Sequence, residues 1–406
     1  MDASFIFVLF YGICTVYGLL VYTASAYKGS SLKIAKDYSI RPKVSVMISA
    51  YNEGASVYET IRTIKASHYP AELIEVVAFD DCSKDDTFTW MEKAAADFSD
   101  VIVHKNPSNR GKAPTLAIAS GHTTGEIIIC TDADTVFDPG AISELVCCFA
   151  DARLGAVGGS IGILNVNESL LTQMQTVLYG TAYWLFKPSE NIIHATQCLG
   201  GPLVAFRREL YLDIVPDVLS RNFFGEPLHN GEDRFITQCV LLRGWRTYTN
   251  LNAKCWVGTP VRWDNYFKQQ LRWRRSALGQ WFYTLFHLPQ YLSRAGPTAT
   301  IGSGLPIMNN LVWAAIVVWM CMTGTLLQSL VMMLVIKFIL LPIMVYFFNR
   351  LISKVDASQR VKNPVAVGFY ITVWFVVSVC VVLPWAFFTL DDGGWVTRQD
   401  GANGNA

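Results

Sequence analysis

The sequence predicts an α/β domain with a mostly parallel sheet, joined to apolar helices that cross or lie on a membrane. Between residues 44 and 132, short apolar runs typical of strands alternate with helical stretches, which indicates parallel strands with crossover helices. The 406-residue chain is also 52% hydrophobic, above the usual range of soluble domains. This apolar excess is concentrated in segments near the two ends of the chain.

The N-terminal apolar segment predicts a membrane span. Ser4 to Ala26 carries no charge, and about 20 such residues cross a bilayer. Asp2 stands where a cleaved signal peptide would have a positive charge. Five Lys and Arg residues follow between Lys28 and Lys43, so the positive-inside rule places the next domain in the cytosol. We expect a multi-pass protein of the plasma membrane.

The C-terminal apolar segments leave the topology open. Gly302 to Phe348 is apolar except for Lys337, which predicts a helical hairpin, and Val365 to Leu390 has no charge. One further crossing would put the tail outside the cell, whereas a turn at Pro384 would make the last segment re-entrant. The predicted divisions are a transmembrane helix over 1–27, a catalytic domain over 40–275, an interfacial helix over 276–298, a transmembrane region over 302–390 and a tail over 391–406.

Charge and cysteine content exclude two classes of function. The net charge is +1 and no basic stripe with interleaved aromatic residues is present, so we expect no nucleic-acid partner. The ten cysteines are scattered without a CxxC pair. Free thiols in a reducing cytosol are the expected state, and no zinc site is expected.

Polar residues follow the predicted strands, which are Val44–Ser49, Ile74–Phe79, Val101–His104 and Glu126–Thr131. Ligands of such sheets bind beyond the carboxyl ends of the strands, so Tyr51, Asp80 and Asp132 should belong to one site. A Rossmann dinucleotide site is the natural competitor. The first strand lacks the GxGxxG that this site requires, and we interpret the later glycines from Gly158 to Gly162 as a tight turn at a strand.

The acidic pairs at these strand ends suit a nucleotide and a metal. Asp132 and Asp134 can share a divalent cation that bridges a diphosphate, because hard oxygen ligands suit Mg²⁺ or Mn²⁺; a surface turn is the alternative. Asp80 and Asp81 can accept hydrogen bonds from a uracil N–H and a ribose hydroxyl while Tyr51 stacks on the base, or they can simply cap a helix.

Three further motifs carry candidate chemistry. Lys112 follows a turn and can neutralise phosphate, although a solvated lysine fits equally well. Asp233 begins a predicted helix, where a carboxylate serves either as a general base or as a cap that the helix dipole favours. Gln269, Arg272 and Trp273 combine an amide, a bidentate cation and an aromatic face, which suits a pyrophosphate and acceptor clamp. A membrane-interface Arg/Trp belt is the alternative.

Together these motifs resemble the processive family 2 inverting glycosyltransferases, the group of hyaluronan, chitin-oligosaccharide and cellulose synthases. The resemblance covers essentially the whole chain. It includes Gln197–Leu203, similar to the acceptor loop of hyaluronan and chitin-type synthases, and Trp395–Arg398, similar to their WGTR gating motif. It implies a GT-A fold, a UDP-sugar donor, Mg²⁺ or Mn²⁺, a growing polysaccharide acceptor, and a channel formed by helices in the lipid bilayer.

The resemblance also implies a role for each motif residue. Asp233 would be the base, and Asp134, with Asp132, would hold the metal. The other implied roles are nucleoside binding by Tyr51, Glu53, Asp80 and Asp81, diphosphate binding by Lys112 and Asp132, clamping by Gln269, Arg272 and Trp273, and donor binding by Trp395, Thr397 and Arg398 of the gating motif.

The chain departs from the family pattern at three positions. Ala113 stands where a basic residue is usual, Gly231 replaces the Thr of the TED motif of cellulose synthases, and Val396 replaces the gating glycine. The second departure favours the hyaluronan/chitin branch. We therefore expect a membrane synthase that adds sugars to a β-linked chain with inversion and extrudes it. The alternatives are a non-processive transferase acting on a lipid phosphate, a glucan synthase using UDP-glucose, and a non-catalytic transport subunit.

Overall fold

A computed structural model describes residues 21, 23–29, 34–223, 226–227 and 231–390. Most of the predicted N-terminal span lies outside the described residues. The predicted gating motif, with Trp395, Thr397 and Arg398, lies outside them entirely.

The described chain contains one large mixed sheet and a short hairpin. The strands are β1 (Val44–Ala50), β2 (Ile74–Asp80), β3 (Val101–Lys105), β4 (Ile127–Asp132), β5 (Thr135–Phe137), β6 (Leu154–Ile163), β7 (Val204–Arg207), β8 (Asn222–Phe223), β9 (Glu226–Pro227) and β10 (Arg246–Val257). The sheet order is β3-β2-β1-β4-β7-β6-β10-β5, and β8 pairs with β9. β1 to β4 are parallel, as are β6 and β10, whereas β7 and β5 run antiparallel to their neighbours. The prediction of a mostly parallel sheet is confirmed.

Helices cover both faces of this sheet and continue into the apolar region. They are α1 (Ser56–Lys65), α2 (Thr87–Asp97), α3 (Lys112–Ser120), α4 (Ala141–Val146), α5 (Leu170–Thr181), α6 (Lys187–Asn191), α7 (Arg208–Leu219), α8 (Glu232–Leu242), α9 (Trp263–Phe286), α10 (Leu288–Gln290), α11 (Gly296–Met322), α12 (Leu326–Val355), α13 (Pro364–Val377) and α14 (Leu383–Phe388). π-Helical turns extend α5 and join α10 to α11 and α13 to α14.

Helices cover both faces of the sheet, and successive side chains of a strand point to opposite faces. The side chains of the central strands are therefore buried on both sides. In β1, Val46 packs in the core formed with α1 and α2, whereas Met47 packs in the core formed with α3 and α7. Both side chains are fully buried. This packing explains why the predicted strands are continuous apolar runs rather than alternating ones.

The glycines from Gly158 to Gly162 lie inside β6, so the interpretation as a tight turn is wrong. Each of the three glycines lies so close to neighbouring atoms that a Cβ would not fit. A Cβ at Gly158 would lie 2.8 Å from Leu199 Cδ2, and one at Gly159 would lie 2.7 Å from the Ala253 carbonyl oxygen. Close packing over this strand, rather than a change of chain direction, therefore requires glycine.

Two helical segments of the described chain are long and apolar enough to cross a membrane, Leu326–Val355 and Pro364–Phe388. α11 and α12 are joined at Thr323–Thr325, in agreement with the predicted hairpin. Of the two alternatives left open above, the turn at Pro384 does not occur, since the chain stays helical to Phe388. The π-helical turn from Ser378 to Val382 widens the helix just before this proline, where a missing N–H and a bulky ring are tolerated.

Helix α9 runs without interruption through residues 275 and 276, where we placed the boundary between the catalytic domain and an interfacial helix. The predicted clamp residues therefore stand on the same helix as the apolar stretch that follows them. An interfacial position for that stretch stays a prediction.

Candidate active site

Strand register brings the predicted motifs to one end of the sheet. Within the parallel strands, Ala50 pairs with Asp80 and Ser49 pairs with Asp132, so the segments that leave β1, β2 and β4 lie side by side. They border a cavity of about 670 Å³. Ten predicted site residues line it, namely Tyr51, Glu53, Asp81, Lys112, Asp132, Asp134, Asp233, Gln269, Arg272 and Trp273.

The two acidic residues that follow β2 have different surroundings. Asp80 is fully buried and does not line the cavity; its carboxylate accepts from the Ser83 backbone N–H at 3.1 Å and pairs with Lys105 at 3.5 Å. Asp81 borders the cavity and accepts from the Gly111 N–H at 2.7 Å and from Asn106 Nδ2 at 2.8 Å. Asp81 thus fixes the loop that precedes Lys112, and nucleoside binding by either aspartate stays a prediction.

Lys112 is the cation at the centre of the acidic groups. Its Nζ pairs with Asp132 and lies 3.1 Å from Glu232 Oε1. Burial opposes its charged form, but the two carboxylates outweigh burial and raise the pKa of Lys112 above its usual value. Lys112 therefore remains a cation, placed to contact an anionic ligand as well as these carboxylates.

Asp132 and Asp134 border the cavity on either side of Ala133, whose carbonyl accepts from Thr60 Oγ1 at 2.9 Å. This bond fixes the turn between β4 and β5. The described part of the chain holds no group of three or more His, Cys, Asp or Glu side chains that could bind a metal ion without further ligands. Two carboxylates suit Mg²⁺ or Mn²⁺ when phosphate oxygens complete the coordination, so these residues fit a cation that arrives with a diphosphate.

Asp233 has the electrostatic surroundings of a general base. It stands in the first turn of α8, where its Oδ1 accepts from the Arg234 N–H at 2.7 Å. Burial, reinforced by Glu232, raises the pKa of Asp233, while Lys112 and Arg234 oppose the rise. A carboxylate with a raised pKa is a better proton acceptor at neutral pH than an exposed one.

Two glycines keep space around Asp233. Gly231 precedes α8 with φ +77°, and any Cβ there would collide with Ser276 Oγ of α9. Gly201 lies beside the acidic centre, where a Cβ would come within 3.0 Å of Lys112 Nζ and 4.0 Å of Asp233 Cβ. The first glycine lets α8 pack against α9, and the second leaves the volume between cation and base open.

The clamp residues lie on the cavity-facing side of α9. Gln269, Arg272 and Trp273 all line the cavity, and Trp273 is 40% exposed. Its ring centroid lies 6.1 Å from that of Tyr179 on α5. The half-exposed ring can therefore stack on a ligand while an aromatic neighbour supports it.

The segment between α5 and β7 adds lining residues: sequence reasoning missed Tyr183 and Lys187, whereas Cys198 belongs to the predicted acceptor loop Gln197–Leu203. Tyr183, Lys187 and Cys198 line the cavity; the Cys198 thiol lies 4.0 Å from Asp233 Oδ2, and Lys187 Nζ donates to the Cys198 carbonyl. Burial raises the pKa of the Cys198 thiol, so it remains protonated. Tyr183 follows Tyr179 by four residues along the helix. This spacing also occurs in helices that simply pack against a core, so it does not identify a site residue.

The cavity also reaches a helix of the apolar region. The helix Pro364–Phe388 lines it with Ile371 and with the residues three, four and seven positions later on the same helical face, Trp374, Phe375 and Ser378. Arg274 of α9 donates to Ser378 Oγ at 3.0 Å. One cavity therefore joins the acidic centre to a segment long and apolar enough to cross a membrane.

Comparisons with known proteins give the family and the fold of the chain. Residues 42–276 match the family described as "Glycosyltransferase like family 2". Hyaluronan synthase of Streptococcus pyogenes is 29% identical over 269 residues, 64% of each chain. Hyaluronan synthase 3 of Mus musculus is 32% identical over 183 residues, 45% of this chain and 33% of that one. The match therefore spans less than two thirds of the length of these relatives.

A mannosyltransferase from Pyrobaculum calidifontis, solved with GDP-Man and Mn²⁺, is 22% identical, with a TM-score of 0.53 over 80% of this chain and 98% of that one.

Proposed function

Because the chain belongs to glycosyltransferase family 2 and has the GT-A fold, we propose that it is a membrane-embedded, processive polysaccharide synthase. It transfers sugars from a UDP donor onto a growing β-linked chain, of the hyaluronan or chitin type, and extrudes the product. The observation that carries this proposal is the single cavity shared by the Asp132–Asp233 centre and the helix from Pro364 to Phe388. A product formed there borders a membrane segment from the start.

In this proposal the donor occupies the end of the cavity formed by the β1, β2 and β4 segments. Tyr51 and Asp81 contact the nucleoside, while Lys112 and Arg272 face the diphosphate. Asp132 and Asp134 hold Mg²⁺ or Mn²⁺, which neutralises the diphosphate charge when bound. The mannosyltransferase solved with GDP-Man and Mn²⁺ has the same fold, which supports a site of this kind.

The reaction proposed is a direct displacement. Asp233 takes the proton from an acceptor hydroxyl, whose oxygen forms a bond to the anomeric carbon as the bond from that carbon to the diphosphate breaks. The UDP leaves with the bonding electron pair, and Lys112 and Arg272 stabilise its charge. Attack from the face opposite the leaving group converts an α-linked donor into a β-linked product.

A non-processive transfer to a lipid phosphate is the second candidate, because a membrane-facing cavity would suit a lipid acceptor as well. The position of Trp273 favours the polymer. Its half-exposed indole, supported by Tyr179, offers a stacking face for a sugar ring. A lipid phosphate would gain little from such a face.

The test is polymer synthesis by the full chain in proteoliposomes with Mg²⁺ or Mn²⁺. UDP-glucose, UDP-N-acetylglucosamine and UDP-glucuronic acid are supplied singly and in pairs, and products are sized before and after digestion with specific glycanases. We expect a long polymer, either from one donor or only from a pair, protected inside vesicles whose catalytic domains face outward. Transfer of a single sugar to lipid, with no polymer from any combination, would refute the proposal.

A further inference from the structure

Two buried polar side chains of the cavity have no role in the chemistry above. Gln175 of α5 and Tyr266 of α9 are each 1% exposed and line the cavity. Gln175 Oε1 and the Tyr266 hydroxyl have no hydrogen-bond partner among the residues that the structure describes. Leaving a buried polar atom unpaired is costly, so unpaired atoms that also line a cavity point to a ligand in that cavity.

The orientation of the Gln175 amide is fixed by the protein. Its Nε2 donates to the Pro260 carbonyl at 2.8 Å and to the Leu171 carbonyl at 3.3 Å. Exchanging the amide oxygen and nitrogen would place an oxygen against two carbonyl oxygens, so the observed orientation is the favourable one. The atom left for a ligand is an acceptor, and the ligand must therefore donate a hydrogen bond to it.

The position of these groups separates them from the reacting centre. Gln175, Tyr179 and Tyr183 follow one another at four-residue spacing, so they share one helical face. At a rise of 1.5 Å per residue, Gln175 lies roughly 12 Å along the helix from Tyr183. The Tyr183 end borders Gly200 and Cys198, next to Asp233. That separation is longer than one pyranose ring.

Helix α9 forms the opposite wall of the cavity, and its lining residues are separated along the helix by a similar distance. Tyr266 precedes Trp273 by seven residues, roughly 10 Å along the helix. The ring centroid of Tyr266 lies 4.7 Å from that of Trp374. The contact between Trp273 and Tyr179 lies between the two ends of the cavity.

Gln175 donates to the Pro260 carbonyl, just before α9 begins, whereas Ser276, ten residues after Tyr266, lies against Gly231 beside Asp233. Gln175 and Tyr266 therefore both lie toward the end remote from Asp233.

We infer that Gln175 and Tyr266 form a separate sugar subsite, which holds a unit of the acceptor chain beyond the one that reacts. The subsite recognises hydroxyl or acetamido N–H groups, because Gln175 offers only an acceptor. This inference rests on the proposed function, since a single-sugar or lipid acceptor would not reach it. Neither residue touches the reacting atoms; both position the chain.

Tyr266→Phe is the sharpest test, because it removes only the hydroxyl. If that hydroxyl is merely structural, its removal relieves an unpaired polar atom, and thermal stability and kinetics should stay equal or improve. As part of a subsite, its loss should raise the KM for oligosaccharide acceptors of three or more units about tenfold, the equivalent of one hydrogen bond. The KM for a monosaccharide acceptor and kcat should not change.

Gln175→Met should give the same length-dependent rise in KM. Tyr291→Phe is the matched control, since Tyr291 is fully buried, its hydroxyl has no partner among the described residues, and it does not line the cavity. Chitin and cello-oligosaccharides of equal length, compared on each variant, distinguish recognition of an acetamido N–H from recognition of a hydroxyl.

Calorimetric binding of the same oligosaccharides to the full chain separates the two proposals. If the wild type makes no polymer yet binds tetrasaccharides more tightly than Tyr266→Phe does, the synthase proposal fails and the subsite stands. Equal KM and equal affinity at every chain length in wild type and Tyr266→Phe would overturn the subsite, whatever the wild type synthesises.

Discussion

Asp233, the proposed base, is the side chain whose substitution should separate catalysis from binding in this cavity. Asp233→Asn keeps its size and its hydrogen bond from Arg234 N–H but cannot accept a proton. We expect transfer to fall about 10²-fold or more while UDP affinity, measured by calorimetry, is retained. Asp97→Asn, on the distant helix α2, is the control. Parallel loss of UDP affinity and turnover would instead identify Asp233 as a structural helix cap.

The raised pKa of Asp233 adds a prediction on pH. The base must be ionised to act, so kcat/KM should rise with pH through its folded-state pKa. Because burial and Glu232 raise this pKa, the acidic limb of the wild-type profile should lie above the ordinary carboxyl value of about 3.9. A profile that stays flat down to pH 4 would argue against Asp233 as the base.

A substitution of Asp134 tests whether this residue is a metal ligand. Asp134→Asn replaces a charged oxygen ligand by a neutral amide, so the Mn²⁺ concentration needed for half-maximal turnover should rise at least tenfold, and donor affinity should fall with it. Titration of turnover with Mn²⁺ at a fixed donor concentration measures this. An unchanged Mn²⁺ dependence would remove Asp134 from the metal site.

Sequence reasoning placed residues such as Asp132 correctly at the cavity, because apolar strands end where polar side chains begin. It could not separate Asp80 from Asp81, since both follow one strand and only the folded loop determines which carboxylate meets the cavity. Tyr183 escaped it for another reason. Its hydroxyl reaches the cavity by packing against Gly200 of the Gln197–Leu203 loop, and no short-range spacing encodes that packing.

At the scale of elements, the contact between α8 and α9 sets the position of the base. Gly231→Ala should lower the melting temperature and transfer together, because it combines a positive φ with a collision against Ser276. Adding Ser276→Gly should restore part of both by removing the colliding hydroxymethyl group. Gly304→Ala, where a Cβ meets open space, is the control. Independent effects of the two substitutions would contradict this contact.

Element boundaries were harder to predict than element types. Strands β1 to β4 follow the predicted runs closely, because each run is apolar and bounded by polar turns. The uninterrupted course of α9 was missed, since the charged residues around Arg272 resemble the end of a domain.

At the scale of the whole molecule, Trp273 tests whether the cavity retains a polymer. Trp273→Ala should shorten or abolish the product while some donor hydrolysis remains, because Asp132, Asp134 and Arg272 are intact. Trp273→Phe should keep part of the length. Trp319→Ala, at an exposed tryptophan of α11, controls for membrane anchoring. Full-length polymer from Trp273→Ala would place the acceptor site elsewhere.

The bonds between α9 and the last apolar helix have a consequence for how the lipid environment acts on the enzyme. Arg274 donates to Ser378 at 3.0 Å, and Arg275 donates to Thr389 at 2.7 Å, directly beside Arg272 and Trp273. A helix tilts when the hydrocarbon layer around it becomes thinner than its apolar length. Tilting of Pro364–Phe388 would therefore displace the clamp, and acyl-chain length should tune product size in reconstituted vesicles. Equal polymer lengths in short-chain and long-chain lipids would show that the two helices move independently.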